Sequence, residues 1–191
     1  MHSELAQAIN QNVPEANAEH QAAEAGDDSI YVNSSQIKPV CEFLKTSPDY
    51  DFHVLQVITG TDYPEHITVS YILASFRKNT ELILNTKLPK KDAQSVPEIQ
   101  SVTSLWKSAN FQERECYDMV GVHFVNHPDH RRILCPDDWE GFPLRKDYKV
   151  QEKYLDIEVN PPHKINTDEH FFGDRMRRQA GDPDRLTVNW G

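Results

Sequence analysis

Hydrophobic positions first recur with helical spacing at Ile37, Val40, Cys41 and Leu44, the i, i+3, i+4, i+7 stripe of a helix that buries one face. Ser34 or Ser35 is placed to cap it, and Pro39 falls in its first turn, where a missing N–H has no helical acceptor anyway. The period then changes. Phe52–Thr59 is a mostly apolar run, Ile67, Val69, Tyr71 and Leu73 alternate along the next, and Leu82, Leu84 and Leu88 along the one after. Arg77-Lys78-Asn79-Thr80 between the last two reads as a hairpin turn. Adjacent strands with tight turns imply antiparallel pairing, so the pattern predicts an α+β domain: a small, largely antiparallel sheet with packed helices. Val102, Leu105, Trp106 and Ala109 form a second helical stripe, and Asn110 with Glu113 three residues on resembles a capping box. Two short helices in tandem are expected from about Val102 to Val120, the second ended by Gly121.

After Gly121 the periodicity stops. The remaining chain is not low-complexity, because Phe124, Trp139, Phe142, Tyr148, Phe171, Phe172 and Trp190 punctuate it. Aromatic anchors on an aperiodic, charge-rich chain suit a segment that lies on another protein, where burial offsets the entropy of ordering it. At the other end, residues 1–28 carry Glu4, Glu15, Glu19, Glu24, Asp27 and Asp28 and no Lys or Arg. Their composition predicts an acidic, disordered leader, with a short helix capped by Ser3 as the other reading. The expected organisation is a leader over 1–28, an α+β domain over 29–120, a docking loop over 121–150 and an extended, partner-binding segment over 151–191.

Composition narrows the function classes. Hydrophobic residues make up 38% of the 191, below the usual ~45–50%, so the chain can build one core but not one that covers its whole length. A net charge of −10 argues against free nucleic acid as a partner. No apolar run approaches the ~20 residues of a membrane helix. Cys41, Cys116 and Cys135 are odd in number and widely spaced, which fits a reduced compartment rather than a disulfide framework. No secretory signal or transit peptide is expected from the first residues, and a bacterial cytoplasmic setting fits.

The chemistry-bearing candidates lie in residues 113–149, where eight acids and six bases sit among 37 residues. On the helix, Arg114 and Asp118 are i, i+4 neighbours and Glu115 and Asp118 are i, i+3 neighbours. A solvated, salt-bridged face is the ordinary reading of such a pattern. Here the charges continue through Arg131, Arg132, Asp137, Asp138, Arg145, Lys146 and Asp147, interleaved with prolines and aromatics such as Trp139. A strip with both signs and fixed turns is a template for specific docking, and Arg offers a planar fork that matches carboxylates. We therefore take Glu113, Arg114, Glu115, Asp118, Arg131, Arg132, Asp137, Asp138, Trp139, Arg145, Lys146 and Asp147 as the expected partner interface.

The same stretch carries a resemblance. Glu113-Arg114-Glu115, Tyr117-Asp118, Gly121, His127-Pro128-Asp129, Arg131-Arg132-Ile133-Leu134, Pro136-Asp137-Asp138-Trp139-Glu140-Gly141 and Pro143-Leu144-Arg145-Lys146-Asp147-Tyr148 follow one another in order. This run resembles the signature of the C subunit of proton-translocating NADH:quinone oxidoreductase, respiratory complex I. Phe111 stands where that family often has Trp, and Val120 where it often has Phe. The resemblance implies a peripheral-arm scaffold subunit with no redox centre of its own. It would pack on the D subunit, the large subunit that helps form the quinone site, beside the iron–sulfur subunits. FMN and the clusters that carry electrons from NADH to quinone would sit in other chains. The resemblance also implies a place on the cytoplasmic side of the inner membrane, held there through the complex.

The residues agree with that expectation in part. Three cysteines cannot alone ligate a four-iron cluster, and there is no Gly-rich phosphate loop among only 7 glycines. Two alternatives stay open. The equivalent subunit of a membrane-bound hydrogenase shares the Glu-Arg-Glu core. A zinc protein could be built on His123, His127, His130 and Cys135, which are zinc-competent types at close spacing.

Overall fold

The computed structural model describes residues 2–23, 26–90 and 95–158. Three long strands make up most of a five-stranded sheet: β3 (Val54–Asp62), β4 (His66–Ser75) and β5 (Thr80–Pro89) pair antiparallel in sequence order. The alternating positions Ile67, Val69, Tyr71 and Leu73 are fully buried, as are Leu84 and, within a few percent, Leu82 and Leu88. The β4–β5 turn closes with Ser75 opposite Thr80, and Asn79 takes the positive φ that the turn needs. β2 (Ser29–Val32) extends the sheet beside β5, but in parallel, and β1 (Glu19–Gln21) pairs antiparallel with β2 at the outer edge, giving the order β1-β2-β5-β4-β3. The α+β class and the largely antiparallel sheet are therefore as the pattern predicts, with the single β2–β5 pairing parallel.

Before β1 lies α1 (His2–Asn12). Leu5, Ala6 and Ile9 from α1, with Ala16 and Ala18 after it, belong to the main core. The disordered leader expected over 1–28 is thus corrected for the described residues. The helix starts at His2, so Ser3 lies inside it rather than capping it. Its anchor is partly polar: the Asn10 side-chain amide donates to the Ala18 carbonyl at 2.9 Å and accepts from the Ala18 amide at 2.6 Å, completing that residue's backbone bonding. α2 (Ile37–Thr46) buries Ile37, Val40, Cys41 and Leu44 as its stripe requires. A one-turn 3-10 segment, Ser34–Gln36, precedes it, and the cap there is Asn33, which accepts from the Ser35 amide, rather than Ser34 or Ser35.

The expected tandem helices are one helix and one turn. Val102–Trp106 makes a tight turn, with the amides of Leu105 and Trp106 both bonding the Val102 carbonyl. Only α3 (Ala109–Val120) is helical, ended by Gly121 at φ 78°. A stripe read at helical spacing also arises where a turn leads into a helix, which is why the two are not distinguishable by period. α3 lies against β3, the free edge of the sheet, and covers it. The Gln112 side chain accepts from the Ile58 amide at 2.7 Å and donates to the Gln56 carbonyl at 3.0 Å, so a helix side chain fills the place of a further strand. Gly60 lets the two elements close up, since a Cβ there would meet Cys116 Sγ at 2.9 Å. A second, two-stranded parallel sheet joins β6 (Glu98–Gln100) to β7 (His123–Val125) beside α3.

The chain divides into a unit over 1–148 and another over 149–191. In the second, β8 (Lys153–Tyr154) and β9 (Ile157–Glu158) form a hairpin whose two turn residues, Leu155 and Asp156, both have positive φ, the twist-matched geometry for a two-residue turn. Most of the extended segment expected over 151–191, including Phe171, Phe172 and Trp190, lies outside the described residues.

Candidate docking surface

Asp118 organises the segment that follows α3. Its side chain is fully buried near the end of the helix. One carboxylate oxygen accepts from Arg132 Nη1 at 2.6 Å, and the other from three successive amides, Ile133, Leu134 and Cys135, at 3.1, 2.7 and 2.8 Å. Burial raises its pKa, but the amides and the Arg132 guanidinium outweigh that and hold the group below its ordinary value. Arg132 uses its other nitrogen to donate to the carbonyls of Trp139 and Gly141 at 3.0 and 2.9 Å. Arg114 donates to the carbonyls of Arg131 and Arg132 at 3.1 and 3.2 Å. The i, i+4 pair of Arg114 with Asp118 that spacing suggested is therefore replaced by two longer-range clips, which fasten residues 131–141 onto α3.

Arg145 fastens the next stretch. It donates to the carbonyls of Val120 and Gly121 at 2.7 and 3.1 Å, and to Ser95 at 2.7 Å. A cation on the last carbonyls of a helix also meets the negative end of its dipole. The Phe142 ring lies against this guanidinium, 4.6 Å from its centre. Gly121 is required twice over, for its positive φ and because a Cβ would stand 2.6 Å from both Arg145 and Phe142. Beyond Arg145, the Lys146 amide bonds Asp62 at 3.0 Å, while Lys90 reaches the other oxygen of Asp62 at 2.5 Å.

Glu113 and His127 hold the other side of α3. Glu113 accepts from the Ser101 hydroxyl at 2.7 Å and the Val102 amide at 2.8 Å, so it caps the preceding turn rather than its own helix as a capping box would. Burial pushes its pKa up to about 7, against the pull of those two bonds. His127 Nδ1 accepts from the Asp129 amide at 3.0 Å, which leaves Nε2–H to donate to the Asn110 carbonyl at 3.1 Å. Burial lowers the His127 pKa, so this neutral ring, although 3.9 Å from Glu113, is not its counter-ion. His130 Nε2 accepts from the Phe124 amide at 3.0 Å, and burial together with His123 and His127 lowers its pKa to about 4. In the zinc set raised by the sequence, both nitrogens of His127 and one of His130 thus serve the backbone.

The expected interface residues therefore fall into two groups. Glu113, Arg114, Asp118 and Arg145 are buried, and Arg132 and Trp139 are half-buried, occupied with the chain's own backbone. Glu115, Arg131, Asp137, Asp138, Lys146 and Asp147 are exposed. Sequence reasoning missed the apolar part of this surface: Phe111, Leu134 and Leu144 are 63%, 62% and 64% exposed, on α3 and on the strip fastened to it. The available signal was the α3 row Phe111, Glu115 and Met119 at i, i+4, i+8, whose first two members are exposed while Met119 packs against the core.

Residues 30–154 match the family described as the 30 Kd subunit of respiratory-chain NADH dehydrogenase. The C subunit of the NADH-quinone oxidoreductase of Chlorobium phaeobacteroides is 41% identical over 130 residues, covering 67% of this chain and 76% of the relative. The C subunit of the F(420)H(2) dehydrogenase of Methanosarcina mazei is 40% identical over 135 residues, 66% and 82% of the two chains. Among solved structures, a trypsin-resistant fragment of Nqo5 superposes with a TM-score of 0.52 at 25% identity, over 68% of this chain and 99% of the fragment. The family match over residues 30–154 takes in the three long strands, α3 and the strip after it, and the chain belongs to the 30 kDa subunit family of respiratory-chain NADH dehydrogenase.

Proposed function

We propose that this chain is a scaffold subunit in the peripheral arm of an NADH:quinone oxidoreductase, docking on the D subunit and carrying no redox centre. In this reading electrons pass from NADH through FMN and iron–sulfur clusters of other chains to quinone, and proton translocation occurs elsewhere in the complex. The observation that carries it is the use of the signature charges. Asp118, Arg132, Arg114 and Arg145 are spent on holding residues 131–146 in one shape on α3. What faces outward there is apolar and charged with both signs: Phe111, Leu134 and Leu144, with Glu115, Asp137, Asp138 and Asp147 beside Arg131 and Lys146. A preorganised surface loses little entropy on binding, which suits a permanent contact between subunits.

The relatives support the same division of labour. The C subunits of an NADH-quinone oxidoreductase and of an F(420)H(2) dehydrogenase resemble this chain about equally, at 41% and 40% identity. A subunit shared by complexes with different electron donors is not the one that binds the donor. No helix among the described residues is long and apolar enough to cross a membrane, so attachment on the cytoplasmic side would run through other subunits.

The test is an affinity pull-down of tagged chain from detergent-solubilised membranes, with mass spectrometry of the partners and NADH:quinone activity of the eluate. The D subunit, iron–sulfur subunits and activity are expected together. Elution of the chain alone, or with an unrelated partner, overturns the reading.

A further inference from the structure

The amino-terminal segment brings three metal-competent side chains together, far in sequence from the signature strip. His2 opens α1, His20 sits on β1 and Asp28 immediately precedes β2. One donor atom from each lies within 4.8 Å of the other two, the one such group of His, Cys, Asp or Glu among the described residues. His20 Nε2 and Asp28 Oδ2 are 2.9 Å apart, and the His2 and His20 rings face each other with centroids 6.0 Å apart and planes 8° apart. We propose that His2, His20 and Asp28 form a binding site for a borderline divalent transition cation such as zinc.

The donor set suits that class of ion. Two imidazoles and one carboxylate match a three-ligand zinc site whose fourth position is taken by water, whereas calcium and magnesium call for oxygen ligands throughout. Bonds of ~2.0 Å at tetrahedral angles put neighbouring donors about 3.3 Å apart. The His20–Asp28 pair is already within that spacing. The widest pair needs to close by at most about 1.5 Å, and the stacked His2 and His20 rings must turn so that an in-plane lone pair of each converges on the ion, rotations open to exposed and half-buried side chains. Asp28 is oriented for the role, because its second oxygen accepts from the Ala23 amide at 3.1 Å, the outer-shell bond that steadies a metal-binding carboxylate. The three ligands come from a helix, a strand and the loop between strands. A bound ion would therefore tie the first turn of α1 to the β1–β2 edge of the sheet, and it would stabilise the native state by mass action.

The experiment uses the full chain without a polyhistidine tag, stripped with chelator and titrated with zinc chloride by calorimetry, alongside thermal unfolding. The wild type should bind about one equivalent and unfold at a higher temperature with zinc present. His20→Ala and Asp28→Asn should each weaken binding about tenfold or more and abolish the zinc-dependent shift, while keeping the metal-free unfolding temperature close to wild type. A variant carrying His123→Ala and Cys135→Ser should bind as the wild type does. No binding by the wild type, or binding unchanged in His20→Ala and Asp28→Asn, overturns the proposal. Loss of binding only in the His123/Cys135 variant does so too, by moving the ion to the other cluster.

Discussion

Glu113 and Asp118 sit five residues apart on one helix and experience opposite environments. Glu113 is bonded by one hydroxyl and one amide, which is too little to offset its burial, so its folded pKa rises from 4.5 to about 7. Asp118 collects three amides and an arginine and stays below its ordinary value. The pH consequences have opposite signs. For Glu113 the folded state binds the proton more tightly than the unfolded chain, so its contribution is complete below pH 4.5 and is lost as pH rises through about 7. For Asp118 the contribution is present above the ordinary carboxylate range and is lost as pH falls through the lowered value. Glu113→Gln keeps an acceptor for the Val102 amide, and its NH2 can donate to the Ser101 hydroxyl, which can turn its own proton to Thr103, 2.8 Å away. The variant should therefore match wild type near pH 5 and be more stable near pH 8, by about 1–3 kcal/mol given 1.36 kcal/mol per pKa unit. Urea denaturation at the two pH values measures this directly. Parallel curves for the two proteins would mean that Glu113 is ionised without cost.

Among the elements, legibility followed burial. α2, β4 and β5 each carry one face of large apolar residues that is fully buried, and those residues recur at the period of the element, so the sequence displays them. α1 does not display itself in this way. Its inward face is Leu5, Ala6 and Ile9, two large residues and an alanine in an otherwise polar stretch, and part of its attachment is the Asn10–Ala18 pair of hydrogen bonds. Composition marks such a segment as solvated even when a few well-placed contacts fix it. The candidate site was half legible for a related reason. Residue types announce that Asp118 and Arg132 are charged and that the strip is ordered by more than its apolar content. They do not announce that two residues 14 apart are each other's partner, because no local period links them. The order of α1 has a measurable consequence. Ile9 is fully buried in the main core, so Ile9→Ala should destabilise the protein by about 2–5 kcal/mol, the usual range for emptying such a site. A solvated leader would give no change, and thermal unfolding of the variant distinguishes the two.

At the scale of the whole molecule, the two groups of signature residues should fail in different ways. The buried group shapes the strip. Asp118→Asn leaves one oxygen to satisfy three amides and removes the charge facing Arg132, a change of the kind that costs about 3–5 kcal/mol. Its first effect is on the chain itself: a lower unfolding temperature and faster trypsin cleavage after Arg131 and Arg132, both held by their carbonyls to Arg114. Any effect on assembly would follow from that loss of shape. In the proposed contact, the exposed group meets the partner. Phe111→Asp and Leu134→Asp place charges where the side chains are already more than half in water, so the isolated chain should unfold within about 0.5 kcal/mol of wild type. If this face with its exposed apolar side chains is the contact, the same substitutions put a carboxylate into a desolvated centre, and recovery of the D subunit in the pull-down should drop steeply. Glu115→Lys, on the same α3 row as Phe111, should weaken recovery further at low salt than at high salt, because a reversed charge acts through a screened field. Wild-type recovery by both aspartate variants, with Asp118→Asn alone impaired, would move the contact away from α3 and its strip while leaving the internal clips as described.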